Sequence, residues 1–199
     1  MTFSRDFLNE TVDILAAIPD ADVEAVVEVI RSTRDRGGRL FFCGSGGGAG
    51  HASHASCDFR KLAGIESYSV TDNVSELTAR INDDGWDTSY ADWLVASRLG
   101  DRDCIFVFSV GGGDETHQIS SNLIAVMRLA KRVGASLVGV VGRDGGVLRQ
   151  MADASIVIPQ LNPKHVTPQT EGLQALLWHL IVSHPALDHA VAKWESVSS

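Results

Sequence analysis

Four ionisable side chains in two helical stretches are the residues of this sequence best placed to do chemistry. His54 and Asp58 lie four residues apart in His51-Ala52-Ser53-His54-Ala55-Ser56-Cys57-Asp58, so on a helix an imidazole and a carboxylate share one face. Glu171 and His179 are eight apart, about 80° around an ideal helix and about 12 Å along it, so both meet one crevice only if both side chains reach toward it. Two imidazoles and two carboxylates suit a borderline cation such as Zn²⁺, and the same carboxylates could instead relay protons. Taken singly, each residue has an ordinary reading as well. His54 and Asp58 would form an exposed pair, Glu171 would sit at a helix start favoured by the dipole, and His179 would be buried and hydrogen-bonded.

Two glycine runs accompany them, Gly44-Ser45-Gly46-Gly47-Gly48-Ala49-Gly50 and Ser109-Val110-Gly111-Gly112-Gly113-Asp114. Each follows an apolar run and precedes a helical stretch. Glycine lets the backbone come close to a ligand, and the next helix offers unpaired amides and a positive dipole end, so both loops suit an anion. The plainer reading is that they only make tight turns. Gly44, Gly46 and Ala49 satisfy a loose dinucleotide pattern, with Asp72 beyond the usual distance for a ribose ligand, and no Gly-Lys-Ser or Gly-Lys-Thr follows either run.

The elements that must position these groups alternate from Arg39 onward. Candidate strands are Leu40 to Cys43, Ser67 to Val70, Cys104 to Ser109, Leu137 to Val141 and Ser155 to Ile158, each apolar enough for a parallel sheet covered on both faces. Intervening helices are expected to begin near His51, Val74, Trp86, Glu115 and Gly146, and a last one runs from about Pro168 to Ser183. Before the sheet, Phe3, Phe7, Leu8, Ile14 and Leu15, then Val23, Val26, Val27 and Ile30, follow helical spacing on either side of Pro19. This pair buries its stripes either on the same domain or on a partner subunit. The expectation is one α/β domain over 1–199, with the helix pair in 1–37 and the core in 38–199.

Composition sets the outer limits. The chain has 199 residues, 44% hydrophobic and 21% charged, with 19 Gly against 5 Pro, which describes one globular domain. A formal charge of -8 repels polyanions, so nucleic acid is a poor partner. No apolar run approaches the roughly 18 residues a membrane crossing needs, and a soluble cytoplasmic protein without membrane association is expected. Cys43, Cys57 and Cys104 form an odd set without C-x-x-C spacing, which argues against a disulfide framework. Trp86, Trp93, Trp178 and Trp194 read as core or subunit-contact residues, and His117, His165, His184 and His189 lack a partner at a telling spacing. His165, beside Lys164, could swing toward an anion.

The ordered motifs resemble the sugar isomerase (SIS) domain family, and within it the sedoheptulose-7-phosphate isomerases, also called phosphoheptose isomerases. The resemblance rests on Cys-Gly-Ser-Gly-Gly-Gly at 43–48, His54 with an acid four later, Thr71-Asp72-Asn73-Val74-Ser75, Asn82-Asp83-Asp84-Gly85, Gly142-Arg143-Asp144-Gly145-Gly146 and the Glu171 to His179 helix. It covers almost the whole chain. It implies a five-stranded parallel sheet flanked by helices, a homotetramer, and conversion of a ketoheptose phosphate to an aldoheptose phosphate toward a heptose nucleotide. It further implies catalytic roles for Asp58 and His179, zinc ligands at His54, Asp58, Glu171 and His179, and an active-site acid at Asp83. The glycine loops then supply the substrate contacts expected at Ser45, Gly46, Gly47, Gly48, Ser109, Gly111 and Gly112. Glu171 becomes a second candidate base.

Three departures from the family pattern are visible. Asp58 stands where members usually have Glu, and Glu171 where they usually have Gln. The phosphate-gripping Ser/Thr cluster is reduced to Gly48, Ser109, Val110, Gly111 and Asp114, of which only Ser109 keeps a hydroxyl. Phosphate binding would rest on amides, Ser109 and a basic residue such as Arg60, Lys61 or Arg143, while Asp114 would repel it if turned inward. The rival readings are a non-catalytic SIS module that binds a phosphosugar or a protein, and a dinucleotide-dependent enzyme.

Overall fold

The computed structural model describes residues 2–190 together with Ala192, Lys193 and Val197. Trp194, expected to be a core or contact residue, lies outside the described residues. The helices are α1 (Phe3–Ala16), α2 (Asp20–Asp35), α3 (Gly47–Lys61), α4 (Val74–Asp84), α5 (Ser89–Ala96), α6 (Ser121–Val133), α7 (Gly146–Met151) and α8 (Val166–Val182). The strands are β1 (Leu40–Gly44), β2 (Ser67–Ser69), β3 (Cys104–Ser109), β4 (Ser136–Val141) and β5 (Ala154–Val157). All pair in parallel, in the order β2-β1-β3-β4-β5.

Strand residues alternate between two cores because successive side chains point to opposite faces. Phe42, Phe106 and Phe108 pack with residues of α2, α3 and α8. Phe41, Cys43, Ile105 and Val107 pack with residues of α5, α6 and α7. The chain runs from β1 outward to β2, then crosses to β3 on the other side of β1. The loops after β1 and β3 therefore flank the point where strand order reverses, where open α/β sheets bind ligands. Both glycine runs stand there.

The N-terminal pair divides. α2 buries Val23, Val26, Val27 and Ile30 on its own domain, whereas α1 buries only Ile14 and leaves Phe3 70% and Val12 63% exposed. Polar contacts tie α1 to α8. Thr11 donates to Gln169 Oε1 at 2.9 Å, and the Glu10 carboxylate meets His165 Nδ1 at 2.7 Å.

Several expectations need correction. The helix after the first loop starts at Gly47, not His51, because the glycines themselves form its first turn. The helix expected from Glu115 starts at Ser121. Asp114 Oδ1 accepts the Thr116 and His117 amides, and paired backbone bonds between Asp114 and Ile119 close a turn instead. The helix placed near Trp86 starts at Ser89, and Trp86 is 41% exposed while Trp178 is buried. Three of the histidines expected to lack partners have them: His117 with Asp114, His165 with Glu10 and His184 with Glu24. His165 is thereby held against α1 rather than free to meet an anion.

Candidate active site

α3 and α8 pack against each other over the first core, and the side chains at their contact form the site. His54 Nε2 lies 3.7 Å from Asp58 Oδ2, and His179 Nε2 lies 4.0 Å from the same oxygen. The two imidazoles meet edge to face at 5.4 Å between centroids. One ligand atom from each of His54, Asp58 and His179 falls within 4.8 Å of the others, so the three could hold a metal ion. Trp178, buried in the core, walls the group off: its ring is 4.8 Å from His54 and stacks on His179. The other side is open, with the His54 and His179 side chains 59% and 51% exposed against 19% for Asp58. His179 is thus not the buried residue of the plainer reading.

The tautomer of His179 follows from its neighbours. Nδ1 lies 2.6 Å from the Ala175 carbonyl, an oxygen that can only accept, so Nδ1 carries a proton and donates it. In the neutral ring Nε2 therefore presents its lone pair toward Asp58. The Nδ1 bond survives protonation of Nε2. The ring can take up and return a proton there without turning.

Glu171 stands outside the three-residue group. Its carboxylate lies over the start of α3, where a Cβ on Gly47 would come within 2.6 Å of Glu171 Cδ. A side chain at that position would push the Glu171 carboxylate aside. Within electrostatic reach of Glu171, His54 and His179 stands His51, which the sequence reading used only as a helix start. Burial pushes its pKa down, contacts with Glu171 oppose that, and its buried Nε2 has no hydrogen-bond partner. Its spacing of three from His54 was the signal that could have found it.

A cavity of about 1150 Å³ lies between the two glycine loops, and none of His54, Asp58, Glu171 and His179 is part of its lining. Ser45, Ser109 and Gly111 line it. Ser45 Oγ accepts from Asn122 Nδ2 at 3.1 Å, and Tyr90 donates to the Gly44 carbonyl at 3.0 Å, fixing the first loop from α6 and α5. Ser109 Oγ accepts the Gly112 amide at 3.0 Å, which leaves its own hydrogen free to donate. Gly112 has φ +73°, and a Cβ there would stand 2.0 Å from the Gly145 carbonyl, so no other residue fits. Gly46, Gly47 and Gly48 cap and open α3.

Two expected site residues sit differently. The Asp114 carboxylate bonds the Thr116 and His117 amides and the His117 ring, and these hold its pKa below the usual range, the ring contact most of all. Its charge is thereby satisfied within its own loop. Asp83 is exposed on α4 and accepts from its neighbour Asn82. It belongs neither to the cavity lining nor to the metal-competent group.

A parallel sheet in this order, with a glycine loop on each side of its switch point, is a doubly wound α/β ligand-binding arrangement that SIS domains share with other folds. Solved structures agree on the fold: the phosphoheptose isomerase from Francisella tularensis superposes with a TM-score of 0.79 at 19% identity, covering 94% of this chain and 98% of that one. No protein-family model matches the chain. Among curated proteins, the phosphoheptose isomerase of Roseiflexus sp. (strain RS-1) is 33% identical over 169 residues, 82% of this chain and 80% of that protein. The lincomycin biosynthesis protein LmbN of Streptomyces lincolnensis is 34% identical over 191 residues, 90% of this chain and 68% of that protein. The chain belongs to the phosphoheptose isomerase family.

Proposed function

We propose that the protein is an aldose-ketose isomerase that interconverts sedoheptulose 7-phosphate and an aldoheptose 7-phosphate, supplying heptose nucleotide synthesis. The observation that carries this reading is the convergence of Asp58 and His179, with the His179 proton fixed on Nδ1. Isomerisation through an enediol needs a base to lift a proton from the carbon beside the carbonyl, and an acid to protonate the carbonyl oxygen. Asp58 or Glu171 serves as base. His179, protonated at Nε2, gives its proton to the carbonyl oxygen and takes one from the neighbouring hydroxyl as the second carbonyl forms, while the base returns its proton to the former carbonyl carbon.

The donor set fits a divalent ion, because both imidazoles and the carboxylate bring ligand atoms together. His54, Asp58 and His179 would hold Zn²⁺, in which case His179 Nε2 would be a ligand rather than the acid and Glu171 the carboxylate left to serve as base. When bound, zinc supplies a Lewis acid for the carbonyl oxygen. A binding module has no use for this group, which favours an enzyme over a non-catalytic SIS domain.

The exposed apolar residues of α1, Phe3, Leu8 and Val12, and of α8, Leu176 and Leu180, support assembly with further copies, a homotetramer in this reading. No helix among the described residues is long and apolar enough to cross a membrane, which accords with action on a water-soluble sugar phosphate in the cytoplasm. Following sedoheptulose 7-phosphate by ³¹P NMR tests the assignment. A second heptose phosphate resonance should grow to a constant ratio, and an unchanged spectrum with and without added Zn²⁺ would reject it.

A further inference from the structure

We propose that Arg143 is the residue that grips the substrate's phosphate, in place of the hydroxyl cluster this chain lacks. The inference rests on the sugar-phosphate reading above and assigns the part of the site that the second glycine loop leaves short of donors. Arg143 follows β4 and lines the same cavity as Ser45, Ser109 and Gly111. A Cβ on Gly111 would be 3.5 Å from Arg143 Cδ, so the side chain lies along the glycine loop.

Of the other ionic groups around this cavity, Asp144 has no cationic partner among the described residues, and the rest are paired. Asp114 is bonded to His117, Glu115 to Arg128 at 2.7 Å, and Asp144 accepts the Gly146 amide. Arg143 is exposed, and no carboxylate among the described residues pairs with it. Within the loop, the Gly111 and Gly113 amides donate to no group among the described residues. Those two amides, the free hydrogen of Ser109 and a guanidinium provide the fork and point donors that a phosphate's oxygens accept.

The other basic candidates are elsewhere. Arg60 donates to the Ser67 carbonyl and lies over the Tyr68 ring, and Lys61 ends α3. α3 runs back from the loops, so both face the opposite edge of the sheet. Arg143 also holds φ +55°, one of four non-glycine residues with positive φ among those described. This backbone, unfavourable for a side chain, persists where the surroundings require it.

The test is calorimetric titration of inorganic phosphate into the full-length protein and its Arg143→Gln, Arg143→Lys and Arg143→Gly variants at fixed salt. Arg143→Gln should weaken binding about tenfold or more, with Arg143→Lys in between. Arg143→Gly removes the guanidinium while relieving the backbone, so it should lose phosphate as Arg143→Gln does without a lower melting temperature. In turnover, Arg143→Gln should raise KM for sedoheptulose 7-phosphate about tenfold with kcat nearly kept, and leave KM for unphosphorylated sedoheptulose unchanged. Wild-type protein that binds no phosphate, or folded Gln and Gly variants that bind it as tightly as wild type, would overturn the proposal. Titration needs no turnover, so Arg143-dependent binding in an inactive protein would reject the isomerase reading alone. Turnover with unaltered phosphate binding in the variants would reject Arg143 alone.

Discussion

His179 Nε2 faces Asp58 Oδ2 across 4.0 Å, although one residue comes from the helix after the first strand and the other from the helix after the last. Their meeting depends on α8 packing against α3 over the first core. With Nδ1 tied to Ala175, the reactive nitrogen of His179 points toward Asp58 in both protonation states.

Removing His179 should therefore strike kcat. His179→Ala is expected to lower it by about 10² to 10⁴, with the circular dichroism spectrum unchanged because the side chain is half exposed. Asp58→Asn should fall in the same range, whereas Asp58→Glu, which restores the longer acid, should keep activity within about tenfold. Steady-state kinetics on the three variants decides the point.

Metal content gives a second prediction. Protein purified without chelator should carry close to one zinc per chain by atomic emission, and His54→Ala should lose most of it. Because Trp178 lies against both imidazoles, adding Zn²⁺ to chelator-stripped protein should change the indole fluorescence. Trp178→Phe should remove that change.

The fold makes a third prediction far from the loops. Asp103, buried before β3, accepts from the Arg39 side chain at 2.8 Å and from the Gly100 and Arg39 amides. Burial pushes its pKa up, but these donors and the Arg39 charge outweigh burial and hold it below the usual value. Its stabilisation is fully present above the unfolded pKa of about 3.9 and is lost as pH falls through the lower folded value. Asp103→Ala should cost about 2–4 kcal/mol at neutral pH by denaturant unfolding, and should flatten the stability profile below about pH 4. kcat for the folded variant should be unchanged.

The sheet was readable in the sequence because Leu40 to Cys43 and Cys104 to Ser109 are apolar on both faces, which only a doubly covered parallel sheet requires. The helix after Asp114 was misplaced because a carboxylate capping its own loop looks, in sequence, like one opening a helix. His54 and Asp58 were legible from spacing on one helix. Their union with His179 was not, because spacing within a helix says nothing of which helices touch. His51 was overlooked for the same reason: only the approach of Glu171 from α8 shows that it faces the site.

The central claim is that these groups move a proton between adjacent carbons of one sugar phosphate. Incubation with sedoheptulose 7-phosphate in deuterated water, followed by mass spectrometry and NMR, reads that transfer directly. Deuterium should enter at the carbon beside the carbonyl with wild-type protein and not with His179→Ala. Substrate recovered without deuterium and without aldose product, in the presence of Zn²⁺ as in its absence, would contradict it.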